Sequence, residues 1–276
     1  MTTAVITQNP PVENPGLGVI DISGTKRTPF ERLVSVEVRK TYDTAAGRWL
    51  LITIGILTTV VMGIALAVST VQNIDMNYGT FIATTAYTTS ILLPILGILV
   101  VTSEWGQRTA MVSFTLEPNR SRVIGAKLVA GLILAFAASL YAVVTGAIAN
   151  LIYAAIEGTP ASWEFGAAMF FGFVAIQVLG MITGFGLATL LLSTPAAIVV
   201  YFVYSFVLPA LFAIGAQFLS WFADVAKWID FGGAQAPLAA GTMHGADWAH
   251  LAVAGLIWLV LPLVIGLWRV LRAEVK

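Results

Sequence analysis

Long stretches of the chain contain apolar side chains and no charged ones. No Asp, Glu, Lys or Arg occurs in residues 76–103, 128–156, 165–223 or 251–268. A helix needs about 20 predominantly apolar residues to cross the hydrocarbon core of a bilayer, and each stretch is long enough. This pattern predicts an all-α integral membrane protein.

Turn signals divide the apolar stretches into individual spans. The longest stretch is interrupted at Ser193-Thr194-Pro195, because proline has no amide hydrogen and disfavours helix in the residue before it. We therefore predict a six-span transmembrane domain over residues 49–268, followed by a short tail at 269–276. The predicted transmembrane helices cover residues 49–71, 81–102, 128–156, 165–192, 196–220 and 251–268.

Basic residues indicate the orientation of these spans. If the N-terminus lies inside, every Lys and Arg except Lys227 lies on the cytoplasmic side, which is the side that the positive-inside rule favours. Both termini are therefore expected in the cytoplasm. The basic residues on that side are Lys26, Arg27, Arg32, Arg39, Lys40, Arg48, Arg108, Arg120, Arg122, Lys127, Arg269, Arg272 and Lys276.

Composition excludes several classes of protein. The chain is 58% hydrophobic and 10% charged, with a mean hydropathy of +0.90, so it is not a typical soluble domain. The absence of cysteine rules out disulfides and thiolate chemistry, and the zero net charge gives no indication of a nucleic-acid partner. Residues 1–29 contain prolines and no continuous apolar run, so we expect no signal peptide and predict a disordered cytoplasmic tail at 1–27.

The segment before the first span, residues 28–48, is predicted to be an amphipathic helix at the inner membrane surface. Thr28-Pro29-Phe30-Glu31 contains a threonine cap, a proline at the first helical position and a glutamate placed to complete a capping box. Such a helix either anchors the first span or contacts a cytosolic partner. Its apolar face would consist of Phe30, Leu33, Val34, Val38 and Tyr42.

The predicted loop after the second span, residues 104–127, combines basic residues with an apolar stretch. It resembles the corresponding loop of ABC type-2 permeases, in which a glutamate, a Gly-Thr pair, a leucine and proline with two arginines, and an Ala-Lys pair recur. The family has glycine where this chain has Arg108. The residues assigned to the loop by this resemblance are Glu104, Gly106, Arg108, Thr109, Leu116, Pro118, Arg120, Arg122 and Lys127.

In that family the loop docks on a cytosolic ATPase. The resemblance implies an ABC type-2 permease fold, two copies of an ATPase partner, and a second permease chain that is expected to be identical. It also implies a prokaryotic plasma membrane. The chain lacks a Gly-rich phosphate-binding loop, so it would not be an enzyme and would carry no cofactor, and ATP and magnesium would bind the partner. The alternative for the loop is ordinary positive-inside charge with Pro118 ending a helix.

The spans as predicted contain no ionisable residue, which disfavours ion-coupled transport and favours an externally powered exporter of a hydrophobic or amphipathic substrate. Intramembrane polar side chains either line a substrate path or return hydrogen bonds to their own helices. Residues 221–250 are expected on the outer side with re-entrant helices. The candidate path residues are Thr84, Thr85, Thr88, Asn150 and Gln217.

Two other functions compete with the exporter. One is a membrane scaffold or assembly subunit without transport activity. A channel is disfavoured, because no span carries a ring of charges or a filter-like sequence. His244, Asp247 and His250 have a spacing that would place them on one helical face, but a glycine-rich outer loop explains them more simply, so we predict no metal site.

Overall fold

A computed structural model describes residues 28–107 and 109–272 of the chain. The predicted tail at 1–27, Arg108 and the last four residues of the predicted 269–276 tail lie outside the described residues. Within the described part the chain is all-helical and contains no strand. The helices are α1 (Phe30–Asp43), α2 (Ala45–Gln72), α3 (Tyr78–Gly106), α4 (Ala110–Leu116), α5 (Arg120–Glu157), α6 (Ala167–Leu191), α7 (Thr194–Phe202), α8 (Leu208–Phe218), α9 (Ser220–Ile229), α10 (Phe231–Ala234), α11 (Ala236–Ala240), α12 (Gly245–Gly255) and α13 (Leu261–Arg272).

Six helical segments in the described residues are long and apolar enough to cross a membrane, so the chain is a multi-pass membrane protein. Helices α2, α3, α5 and α6 each form one of them. The other two are composite: α7 and α8 are joined by a π-helical segment, Val203–Val207, and α12 and α13 by another, Leu256–Val260. Which membrane is crossed remains an expectation from the resemblance, and which end faces inside remains a prediction from the charge pattern.

The spanning helices are longer than the charge-free windows predicted. Helix α3 extends to Gly106 and includes Glu104, and α5 already begins at Arg120 and includes Lys127. The predicted spans 81–102 and 128–156 themselves contain no ionisable residue, but the helices that include them continue into charged residues at these ends. A helix continues past its apolar window because its backbone hydrogen bonds do not depend on side-chain polarity, provided that the charges find partners.

The break within the longest apolar stretch lies where proline predicted it. Helix α6 ends at Leu191, Leu192 adopts a left-handed conformation with φ 52°, and α7 begins at Thr194 with Pro195 in its first turn. Proline is tolerated there because the first amides of a helix have no intrahelical acceptor. Two further prolines, Pro209 and Pro262, are each the second residue of the α-helix that follows a π-helical segment.

The predicted start of α1 is wrong in detail. The helix begins at Phe30 with Pro29 at the capping position, and no side chain caps it, so neither the threonine cap nor the capping box forms. The carbonyl oxygen of Thr28 instead accepts a hydrogen bond from Arg122. The helix also ends at Asp43 and α2 begins at Ala45, so the predicted 28–48 segment contains one helix and the first turn of the next.

Helices α3 and α6 form the centre of the bundle and pack closely. Glycines allow this approach: a Cβ on Gly184 would collide with the carbonyl of Pro94, and a Cβ on Gly97 would collide with the carbonyl of Met181. The core around them contains Leu93, Leu96, Ile98, Met181 and Phe185, each at most 1% exposed. At the end of the bundle opposite α1, residues 221–250 form α9, α10, α11 and the start of α12.

Candidate functional site

Four ionised side chains meet beside α1. We call Glu37 and Lys40 of α1, Glu104 of α3 and Lys127 of α5 the charge cluster. The Lys40 Nζ lies 2.7 Å from Glu37 Oε1 and 2.7 Å from Glu104 Oε1. The Lys127 Nζ lies 2.7 Å from Glu37 Oε2 and 3.1 Å from Glu104 Oε1. The cluster therefore joins three helices through alternating charges and is neutral as a whole.

Three members of the charge cluster are deeply buried. The side chains of Lys127, Glu37 and Glu104 are 6%, 7% and 9% exposed. A charge buried this far is tolerated only when it is paired and hydrogen-bonded. For Lys40, which is half-buried, burial acts to lower the pKa, but its hydrogen bonds to Glu104 and Glu37 and their negative charges prevail and hold its pKa above the usual value of 10.5.

The charge cluster also reaches α4. The hydroxyl of Ser113 donates to Oε1 of Glu104 at 2.9 Å, and the Lys40 Nζ donates to the same hydroxyl at 3.4 Å. A single polar contact region thus connects α4, α1 and the ends of two spanning helices. Any displacement of α4 would disturb the partners of buried charges, which is energetically costly.

Sequence reasoning identified Glu104 and Lys127 but missed Glu37, Lys40 and Ser113. One signal was present: Glu37 lies between Val34 and Val38 on the apolar side of α1, where a charge is unexpected. Lys40 follows three residues later on the same face. The identity of the partner helix could not be derived from sequence, because the pairs join positions 64 and 90 residues apart.

The apolar face predicted for α1 is only partly buried. Val34 is buried, Leu33 and Val38 are half-buried, and Phe30 and Tyr42 are exposed. This face packs against α5, with the Phe30 ring close to Gly125, rather than lying free at a surface. Its contact with the membrane surface remains a prediction.

Helix α4 presents an exposed apolar surface. Met111, Val112 and Leu116 are 48%, 57% and 80% exposed. Charged residues are absent from this short helix, whose sequence is AMVSFTL. Large exposed side chains of this kind on one short helix are typical of a protein or membrane contact. We call these three residues the α4 surface.

Two arginines, Arg120 and Arg122, hold the C-terminal side of α4 in place. The Arg122 guanidinium donates to Oε2 of Glu117 at 2.7 Å and to the carbonyl oxygen of Thr28 at 2.6 Å. The Arg120 guanidinium donates to the carbonyl oxygens of Val270 and Leu271, each at 3.3 Å, near the C-terminal end of α13. It also lies 5.0 Å from the centre of the Phe114 ring.

The residues predicted for the 104–127 loop therefore separate into three groups. Glu104 and Lys127 are buried in the charge cluster, and Arg120 and Arg122 are half-buried anchors. The exposed ones are Gly106, Thr109, Leu116 and Pro118. Arg108 lies outside the described residues.

The candidate path residues do not come together. Thr84 and Thr85 return hydrogen bonds to the carbonyls of Thr80 and Ile82 on their own helix. Thr88 is half-buried on α3 and Gln217 is exposed on α8. Asn150 is buried on α5, and its amide nitrogen donates to the carbonyl of Ser162 at 3.0 Å. Of these residues only Asn150 lines one of the two cavities described next.

Two adjoining cavities lie instead at the end of the bundle opposite α1. The tail groove, as we call it, has a volume of about 1020 Å³ and runs between α3, α6 and α11 past Ala83, Phe173 and Gln177. The acidic pocket has a volume of about 400 Å³ and is lined by Asp75, Glu157 and Asn150, among others. Asn77 and Glu164 belong to the walls of both cavities.

The histidine spacing in the outer segment does not form a metal site in the described residues. The Asp247 carboxylate accepts from the backbone amide of His244 at 2.9 Å and so caps α12. The His250 ring packs edge-on against Trp228, with ring centres 4.5 Å apart. These contacts give both groups a structural role.

Comparisons of the chain with family models, with curated proteins and with solved structures find no match.

Proposed function

We propose that this chain is the membrane-spanning subunit of an ATP-driven ABC transporter of the type-2 permease kind, which exports a hydrophobic or amphipathic substrate. Two copies of a separate cytosolic ATPase would bind at segment 104–127, and a second, identical permease chain would complete the path. The observation that carries the proposal is the α4 surface: apolar, exposed and joined through Ser113 to the charge cluster.

The arrangement suits the transfer of motion from a partner into the bundle. A partner bound to the α4 surface would move α4 as a unit. Arg122 joins Glu117, directly after α4, to α5 and to Thr28, and Arg120 packs on Phe114 of α4 while it bonds to α13. The charge cluster then links α4 to α1, α3 and α5. Buried ion pairs resist separation, so the linked helix ends would move together.

The proposal is tested by replacing the α4 surface without disturbing the buried charges. The chain would be co-expressed with each candidate ABC ATPase of its source organism, and any complex purified and assayed for ATP hydrolysis. We expect Val112→Ser/Leu116→Ser to abolish co-purification. The matched control is Leu219→Ser, an exposed leucine at the other end of the bundle. Exposed substitutions of this kind change folding stability by about 0.5 kcal/mol or less.

The outcomes separate the exporter from the scaffold. If the double variant still binds the ATPase and turns over normally, the coupling role of α4 is wrong. If no ATPase binds even the unaltered chain, the non-transporting scaffold is the better description. Replacement of Glu104 does not discriminate between them, because this buried carboxylate also supports folding.

A further inference from the structure

The acidic pocket and the tail groove together have the form of a site for an amphiphile. The groove is lined mainly by apolar side chains, including Ile82, Ala83 and Phe173. Its volume of about 1020 Å³ is at the upper end of the range found for small-molecule pockets. The pocket beside it carries the charge, so an apolar and a polar compartment share one wall.

Three carboxylates give the pocket a negative charge. Asp75, Glu157 and Glu164 line it, and none of them forms an ion pair with a described residue. Within residues 28–107 and 109–272, the Glu164 carboxylate accepts a hydrogen bond only from the side-chain amide of Asn77, at 3.1 Å. Among the described residues, neither cavity wall contains a lysine, an arginine or a histidine. A cation is therefore the complementary occupant.

A buried amide in the same pocket specifies a hydrogen-bond donor. Asn150 is 1% exposed, and its Oδ1 atom has no hydrogen-bond partner in the described structure. The bond from its amide nitrogen to the Ser162 carbonyl sets which amide atom is the nitrogen. An unpartnered buried acceptor is costly, so a ligand that brings an N–H group would satisfy it.

We propose that this chain binds a primary long-chain ammonium ion, with its alkyl chain in the tail groove and its ammonium group in the acidic pocket between Glu157, Glu164 and Asn150. A metal ion is a poorer fit, because the described residues contain no group of acidic or histidine side chains arranged to hold one. An ammonium group offers three N–H donors together with its charge. Binding requires no ATPase, so this proposal does not depend on the transporter assignment.

Binding can be measured on the full chain in phosphatidylcholine nanodiscs at neutral pH, with radiolabelled dodecylamine and with empty nanodiscs as background. We expect saturable binding that unlabelled dodecylamine displaces most effectively. Dodecyltrimethylammonium, which has the charge but no N–H, should compete less well. Dodecanol and dodecyl sulfate should not compete at the same concentrations.

Variants locate the two ends of the ligand. We expect Glu157→Gln/Glu164→Gln to weaken dodecylamine binding by at least about tenfold, since each removes a charged hydrogen-bond acceptor. The control Asp224→Asn removes an exposed carboxylate outside the pocket, one that pairs with Lys227, and should leave binding unchanged. Ala83→Trp should block the tail groove, whereas Ala137→Trp on the exposed face of α5 should not.

The side chain of Asn150 tests whether the site recognises the N–H groups of the ligand. Asn150→Leu should reduce the preference for dodecylamine over dodecyltrimethylammonium, and the carboxylate variants provide the test if that variant folds poorly. The proposal is overturned if dodecylamine binds no better than to empty nanodiscs, if dodecyl sulfate competes equally, or if either the carboxylate variants or Ala83→Trp bind normally. Loss of ATPase coupling with intact binding would affect only the proposed transporter function.

Discussion

Lys127 of α5 and Glu37 of α1 form a buried ion pair, with the Lys127 Nζ 2.7 Å from the Glu37 Oε2. Both side chains are less than a tenth exposed. The pair connects a helix that precedes the first span to a helix that forms the third, and so determines where α1 lies on the bundle. This pair, its neighbours and the packing of α3 against α6 lead to four predictions.

Removal of one partner should be strongly destabilising. Lys127→Met leaves two buried carboxylates, Glu37 and Glu104, with one cation fewer, and we expect a loss of about 3–5 kcal/mol in the free energy of unfolding. The double variant Lys127→Met/Glu37→Leu retains the Lys40–Glu104 pair and should be more stable than the single variant. Unfolding of the purified chain in a mild detergent measures both.

The matched control for this prediction is Arg39→Met. Arg39 pairs with Asp43 at 3.2 Å, but both side chains are more than half exposed, so the change should cost at most about 1 kcal/mol. If Lys127→Met and Arg39→Met lost equal amounts of unfolding free energy, the assignment of Lys127 to a buried pair would be contradicted.

The stability contributed by Lys40 should depend on pH in one direction. Its folded-state pKa is raised above 10.5, so its charged form is favoured by folding. The contribution is fully present below the unfolded-state pKa and is lost as pH rises through the higher folded-state pKa. The stability difference between the unaltered chain and Lys40→Gln should therefore be constant at neutral pH and shrink above pH 10.5. If this stability difference instead increased at alkaline pH, the folded-state pKa of Lys40 would be lowered rather than raised.

Two glycines one helical turn apart should respond differently to alanine. Gly184→Ala places a methyl group against the Pro94 carbonyl, which α3 can accommodate only by moving away from α6, and we expect a loss of about 1–3 kcal/mol. A Cβ on Gly180 would instead meet the Pro94 Cγ at an ordinary 3.4 Å. Gly180→Ala should therefore be neutral or slightly stabilising in the same unfolding assay.

Arg122 should hold the beginning of α1 against the bundle. Arg122→Met removes the hydrogen bond to the Thr28 carbonyl and leaves Glu117 without its cation. We expect faster amide hydrogen exchange in the first turns of α1, around Arg32 and Leu33, with little change in the centre of α5. Uniformly faster exchange throughout the bundle would indicate global destabilisation instead.

The spans could be predicted from sequence because the membrane places a strong constraint on each crossing helix by itself. Each crossing must satisfy its own backbone hydrogen bonds and present about 20 apolar residues to lipid, and both requirements are visible along the chain. The break at Ser193-Thr194-Pro195 was visible for the same reason, since proline acts on its own helix. The charge-free windows did not show that the helices continue past the predicted spans to include Glu104 and Lys127, whose charges are paired in a buried contact.

The two candidate sites, segment 104–127 and the acidic pocket, were harder to predict from the sequence. Segment 104–127 was noticed for its residue types, but the same arginines and lysines are compatible with an exposed loop and with buried anchors. The acidic pocket combines Asp75, from the connection between α2 and α3, with Glu157 at the end of α5 and Glu164 in the connection after it, which are far from Asp75 in sequence. For Thr84 and Thr85 the structure shows the alternative that the sequence left open, in which hydroxyls within a helix bond to its own carbonyls.

What the sequence by itself determined is the number of membrane crossings and a preferred orientation, since hydropathy and the positions of Lys and Arg act span by span. Only the tertiary structure decided that Lys127 faces Glu37 rather than a partner, and that the exposed part of its segment is the α4 surface. The physical reason is that an ion pair depends on the separation of two charges in space. Helix packing, and not chain order, brings residues 37 and 127 within 2.7 Å.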